Sequence, residues 1–104
     1  MIPFEIPYKR KILMYTKPIN MRLGDIKLIQ LCKDDIGIDP ADQKHVFLFF
    51  NKTKDQLRIL LVDDVGVEMV TKLLDKGAFM VLLPDDDETK TIEISHSLLP
   101  KLFK

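Results

Sequence analysis

A chain of 104 residues, 46% hydrophobic and 31% charged, is long enough for one core and too apolar to stay disordered. Sixteen Lys and Arg against sixteen Asp and Glu is not the balance of a uniformly basic nucleic-acid binder. The lone Cys32 excludes an intrachain disulfide, and no apolar run approaches the length that crosses a bilayer.

One domain over residues 1–104 is expected, with no membrane contact. Its setting is expected to be cytoplasmic. An unpaired cysteine fits a reducing compartment, and the Ile2-Pro3-Phe4-Glu5 start lacks the basic and long apolar regions of a secretory signal. Charge is unevenly placed. Residues 1–33 hold seven Lys and Arg against two acids, and residues 63–93 hold nine acids against three lysines. The two segments either form opposite-signed faces or neutralise each other in the fold.

Residues 1–10 read as an extended N-terminal arm, because Pro3 and Pro7 cannot donate to a central ladder. Lys11–Thr16 reads as a strand with Ile12 and Met14 on one side and Leu13 and Tyr15 on the other, apolar on both faces. Lys17-Pro18-Ile19-Asn20 breaks it. Asn20 is a good N-cap, and Met21–Asp35 follows as a helix with Leu23, Ile26, Ile29 and Cys32 along one stripe. Gly37 and Pro40 stop that helix. Val46–Phe50 and Leu57–Val62 are apolar runs around Asn51-Lys52-Thr53-Lys54-Asp55, the signature of a hairpin.

Asp63-Asp64-Val65-Gly66 reads as a tight turn. Val67–Leu74 fits both an alternating strand and a helix stripe, and the bracketing turns favour the strand. Ala78–Leu83 reads as a strand ending at Pro84, Asp85–Lys90 as an acidic loop, and Thr91–Ile94 as a short strand. Ser95–Lys104 has helical apolar spacing interrupted by Pro100. The expected fold is α+β: a mostly antiparallel sheet of five or six strands, one main helix packed on a face, and a short C-terminal helix.

Catalytic chemistry finds little support. Asp34-Asp35, Asp63-Asp64 and Asp85-Asp86-Asp87-Glu88 are the carboxylate clusters, but all fall at turns or a helix end, where Asp serves the backbone. His45 and His96 lack companions at metal-ligand spacing. Cys32 lies on the helix's apolar side as a structural residue. No glycine-rich phosphate loop occurs. Neither a metal nor a cofactor is expected. The basic candidates are Lys52, Lys54 and Arg58 at the hairpin turn, and Lys9-Arg10-Lys11 beside Tyr8.

Three stretches carry a family resemblance. Lys17-Pro18-Ile19-Asn20-Met21-Arg22-Leu23-Gly24 is similar to a P-x-D-M-R-x-[GS] element, with Asn20 in the place of Asp. Asp39-Pro40 and then Val46–Leu60 resemble D-P followed by F-x-F-x-N-[KR]-x-[KR]-D-x-[IL]-[KR]-[IL]-L. Thr71–Phe79 resembles K-R-L-E-x-G-x-F. In order and spacing these resemble the accessory proteins of "sixty-six" group insertion sequences, TnpB or the second-frame protein, which accompany a DDE-type transposase. The chain departs from that pattern at Leu61-Val62-Asp63, where the family has an aromatic pair before the Asp, and in having no Trp.

The resemblance implies a non-enzymatic accessory of transposition with the transposase of the same element as partner. Element DNA is a second candidate partner, against which the zero net charge weighs. A protein–protein module with no nucleic-acid contact is the alternative, and a metal-dependent nuclease using Asp63 is an outsider. Arg22 falls in the distinctive motif. In the first turn of the expected helix its cation would oppose the helix dipole, and so it calls for a carboxylate or a phosphate partner.

Overall fold

The computed structural model describes residues 6–79 and 83–98. Its five strands are β1 (Lys11–Tyr15), β2 (His45–Phe50), β3 (Gln56–Val62), β4 (Val67–Leu73) and β5 (Thr91–Ile94), in the spatial order β4-β3-β2-β1-β5. Three of the four pairings are antiparallel, as expected. The fourth, β1 with β2, is parallel, so the sheet is mixed. A parallel neighbour needs a crossover, and helix α1 (Asp25–Leu31) supplies it.

The middle strands are apolar at both parities, and the sheet is accordingly buried on both faces. On one face Phe47, Phe49, Leu60 and Leu13 meet Leu28 and Cys32 from the helical layer. On the other, Ile12, Met14, Val46, Leu48, Leu57 and Ile59 pack together. Phe79 closes that second face by setting its ring edge-on to Phe50, with centroids 5.6 Å apart. Each fully buried side chain of this size contributes roughly 1.5–3 kcal/mol by leaving water. The double-sided burial expected for Lys11–Thr16 is present, with Ile12 and Met14 in one cluster and Leu13 and Tyr15 in the other.

The hairpin strands, β4 and β5 lie where the sequence places them. The helix does not start where expected. The Asn20 carboxamide accepts from Arg22 N at 2.9 Å and Leu23 N bonds Asn20 O at 3.0 Å, so Asn20 stabilises a turn instead of capping a helix. α1 begins four residues later, after Gly24, and Asp25 Oδ1 accepts from Ile26 N. Beyond Leu31 the helix widens into a π-helical turn, Cys32–Ile36, with Gly37 N and Ile38 N both on Cys32 O. Gly37, at φ 83°, ends it as expected.

At the other termini, Pro7–Arg10 close a turn through Arg10 N to Pro7 O, while residues 1–5 of the expected arm lie outside the described residues. Ala78 and Phe79 are irregular, and residues 80–82 of the strand expected there are not described. The C-terminal helix expected over Ser95–Lys104 is represented only by a turn at residues 96–98, with residues 99–104 outside the described part. Among the described residues no helix is long and apolar enough to cross a membrane.

Candidate functional site

β1 and β2 are parallel, so both finish at the same end of the sheet, and the two most distinctive stretches of sequence meet there. Ile19 N donates to Phe50 O at 2.9 Å, clamping the segment after β1 against the end of β2. A small groove, partly open to solvent, lies between them, lined by Tyr15, Thr16, Lys17, Pro18, Phe50, Asn51, Lys54 and Leu83. The carboxyl end of parallel strands is where open α/β sheets commonly bind ligands.

The hairpin turn divides its residues between scaffold and surface. Asn51 Nδ2 donates to Asp55 Oδ1 at 2.6 Å, Thr53 Oγ1 donates to the same oxygen at 2.8 Å, and Gln56 N donates to Asn51 Oδ1 at 3.1 Å. The Asn51 amide and the Thr53 hydroxyl hold the Asp55 carboxyl below its usual range. Lys54 takes the left-handed conformation at φ 58°, and its carbonyl accepts from Phe79 N at 2.7 Å. Asn51 and Asp55 therefore fix the turn, while Lys52 projects into solvent and Lys54 lines the cleft.

Arg58 does not belong to the turn's basic tip. It points to the α1 side of β3, where Nε donates to Thr71 Oγ1 at 2.9 Å and Nη1 to Leu23 O at 2.8 Å. It ties the loop before α1 to the sheet, a scaffold role that its place between apolar Leu57 and Ile59 could have signalled. Arg22 is exposed in the turn just ahead of that anchored carbonyl. It lies outside the helix, so the dipole argument for an anionic partner does not apply. The structure thus brings Lys54 to the cleft with Lys17, sets Lys52 beside it on the turn, and uses Arg58 elsewhere.

A side-chain cluster that sequence spacing gave no hint of lies behind the cleft. The Tyr15 hydroxyl donates to Asp35 Oδ2, and Lys90 Nζ donates to Asp35 Oδ1 at 3.0 Å. Burial and the Asp35 carboxylate together push the Tyr15 phenol well above its ordinary value. The neighbouring Lys90 ammonium pushes Lys17 down, while Asp35 and Asp87 partly offset this. Thr16 N and Oγ1 bond to Lys90 O, and Oγ1 also to Thr89 O at 2.6 Å, which seats the acidic loop beside Lys17. At this end Asp87 of the acidic loop acts on the charge of Lys17, and the ion pair that forms is Lys90 with Asp35.

The Tyr15 hydroxyl and Lys90 hold the Asp35 carboxyl below its ordinary 3.8. A group depressed in this way stabilises the fold above that ordinary value, and the contribution fades as pH falls through the folded value. Asp55, Asp63 and Asp86 are lowered by their turn hydrogen bonds and act in the same window. Asp35→Asn is expected to lower the melting temperature near neutral pH and to shrink the further loss on acidification. Melts at about pH 7 and about pH 3 check this, and an equal deficit at both would contradict it.

The remaining candidates are occupied locally. Asp63 Oδ1 accepts from Val65 N and Gly66 N, and Asp86 from Glu88 N and Thr89 N, so these carboxylates shape turns. Among the described residues no three His, Cys, Asp or Glu converge as metal ligands. His45 Nδ1 donates to Asp42 at 2.7 Å and His96 Nε2 to Arg10 O at 2.6 Å. Cys32 is fully buried, and burial pushes its thiol up to about 12, which suits packing and not nucleophilic attack. Arg10, at the opposite end of the sheet, is itself buried, and its Nη1 donates to Val62 O at 2.7 Å. Lys9-Arg10-Lys11 therefore does not present three free cations.

Comparison with known proteins points one way. No curated protein and no solved structure matches the chain. A family model, described as IS66 Orf2 like protein, matches residues 10–104. That span takes in every described strand, α1, and both motifs that meet at the groove; the chain belongs to the IS66 Orf2-like family of insertion-sequence accessory proteins.

Proposed function

We propose that the protein is a non-enzymatic accessory factor of IS66 transposition, acting in the cytoplasm by binding the transposase of the same element. The binding surface is the end of the sheet where β1 and β2 finish. The observation that carries this reading is the clamp from Ile19 N to Phe50 O, which joins the Lys17–Gly24 motif to the Asn51–Asp55 turn around one cleft. The turn's Asn and Asp are consumed in holding its shape, which leaves Lys52 and Lys54 to meet a partner. Arg22 reaches solvent from the adjoining turn.

The same end also carries acids. Asp87 lies close enough to Lys17 to act on its charge, and the acidic loop is bonded to Thr16. A mixed surface suits a protein with complementary patches better than the uniform negative charge of a DNA backbone. Element DNA is the second reading, favoured by the gathering of Lys17, Lys52 and Lys54.

The test is a binding titration with purified IS66 transposase. Wild-type protein should bind, and Arg22→Glu/Lys52→Glu/Lys54→Glu should weaken binding by at least about tenfold, a loss of roughly 1.4 kcal/mol. No complex, or a complex indifferent to the triple variant, would contradict the reading. A low-salt gel shift on the element's ends tests DNA in parallel. There, phosphate contact requires affinity to fall steeply with added salt.

A further inference from the structure

β4 is an edge strand whose blunting charges are Glu68 and Lys72, one of each sign. It runs seven residues without proline, and its register with β3 is unbroken from Gln56↔Leu73 to Val62↔Val67. Such an edge is a template for another strand unless charge, proline, a bulge or short length blocks it. The opposite edge, β5, has only four residues. Among the described residues no strand pairs with the outer side of β4. Val67 and Met69 are each 38% exposed and Leu73 is 59% exposed, all on the side of the sheet that carries α1.

The hydrogen-bond phase of β4 is fixed by the bonds that flank it. Asp63 N donates to Gly66 O at 2.9 Å, and Leu74 N to Asp55 O at 2.8 Å. Alternate residues of an antiparallel ladder turn their backbone groups to the same side. Glu68, Val70 and Lys72 therefore address β3, while Val67, Met69, Thr71 and Leu73 present N–H and C=O outward. A second strand must set outward residues opposite outward residues. For another copy of β4 running antiparallel, only registers centred on a residue satisfy that condition.

We propose that β4 pairs antiparallel with β4 of a second copy of this chain, about a two-fold axis at Val70, joining two five-stranded sheets into one. This register sets Glu68 opposite Lys72 of the second copy, twice over by symmetry. Both pairs fall at non-hydrogen-bonded positions, where facing Cα atoms approach to about 4.5 Å instead of about 5.5 Å. On the α1 side it sets Val67 opposite Leu73 and Met69 opposite Thr71, so that the exposed apolar side chains partly cover one another. Centring on Met69 or on Thr71 instead leaves both charges without an opposite charge facing them.

Sedimentation analysis over a concentration series at low salt tests the pairing. The wild-type chain should dimerise. Glu68→Lys and Lys72→Glu should each weaken self-association about tenfold or more, because like charges then face each other at both sites. Mixed together, the two variants should form a heterodimer at least as tight as wild type, since every facing pair is again opposite in charge. Met69→Pro removes an outward N–H that β3 does not use. It should abolish the dimer while the far-ultraviolet circular dichroism of the monomer is retained. A monomer at the highest soluble concentration overturns the proposal. So does a dimer indifferent to these substitutions, or a failure of the two charge variants to recover on mixing.

Discussion

Phe49→Ala is expected to lower the unfolding free energy by about 3–5 kcal/mol, measured by urea denaturation followed by circular dichroism. Phe49 is fully buried on the α1 side of β2, with its ring centroid 5.9 Å from that of Tyr15 and 6.5 Å from that of Phe47. Truncation loses the transfer energy of the ring and leaves a cavity between two aromatics that belong to different strands. Domains of this size hold about 5–15 kcal/mol in total, so the variant should sit close to its unfolding threshold at room temperature. The damage should also reach the cleft, because Tyr15 both packs on Phe49 and holds Asp35. A cost below about 1 kcal/mol would mean that this face is far less tightly packed than its burial indicates.

Arg58→Ala should destabilise the protein by about 1–3 kcal/mol, the cost of leaving a partly buried acceptor unmet. The guanidinium serves two acceptors in different directions, Thr71 Oγ1 and Leu23 O. Lysine offers a single point of charge on a flexible stem, so Arg58→Lys should recover only part of the loss. Thermal melts of the two variants beside the wild type check both statements. Full recovery by lysine would point to charge and not to geometry. Transposase binding by Arg58→Ala, measured where the variant is still folded, should stay closer to wild type than that of the triple variant at Arg22, Lys52 and Lys54. Arg58 is bonded inward to Thr71 and Leu23, and the proposed binding surface is formed by the other three.

The contrast at Arg58 shows where the amino-acid sequence was informative. Runs such as VFLFF and LRILLV announce strands because two-sided burial demands apolar residues at both parities, and β2 and β3 follow them closely. Chain proximity to Lys52 and Lys54 grouped Arg58 with the turn, yet a strand's two-residue period assigns it to the sheet's α1 side with Leu60 and Val62. Asn20 was ambiguous for a chemical reason. Its side chain satisfies a backbone N–H two residues on, whether or not a helix follows. The π-helical turn at Cys32–Ile36 departs from the 3.6-residue period, so no stripe could locate it. The meeting of Tyr15, Asp35 and Lys90 joins residues that are distant in the chain and has no local signature. The parallel pairing of β1 with β2 was hidden in the same way, since strand patterns carry no direction.

That parallel pairing has a consequence for how the molecule is made. β1 is the first described strand, but it lies inside the sheet, and its second neighbour is the last described strand, with Ile12 opposite Ile94. On the ribosome, where roughly 5–20 residues are added per second, β1 to β4 emerge before β5 does. During that interval of seconds a central, two-sidedly apolar strand carries an open backbone edge. β5 is thus the closing piece of the sheet, and until it arrives the β1 edge is open to mispairing between nascent chains.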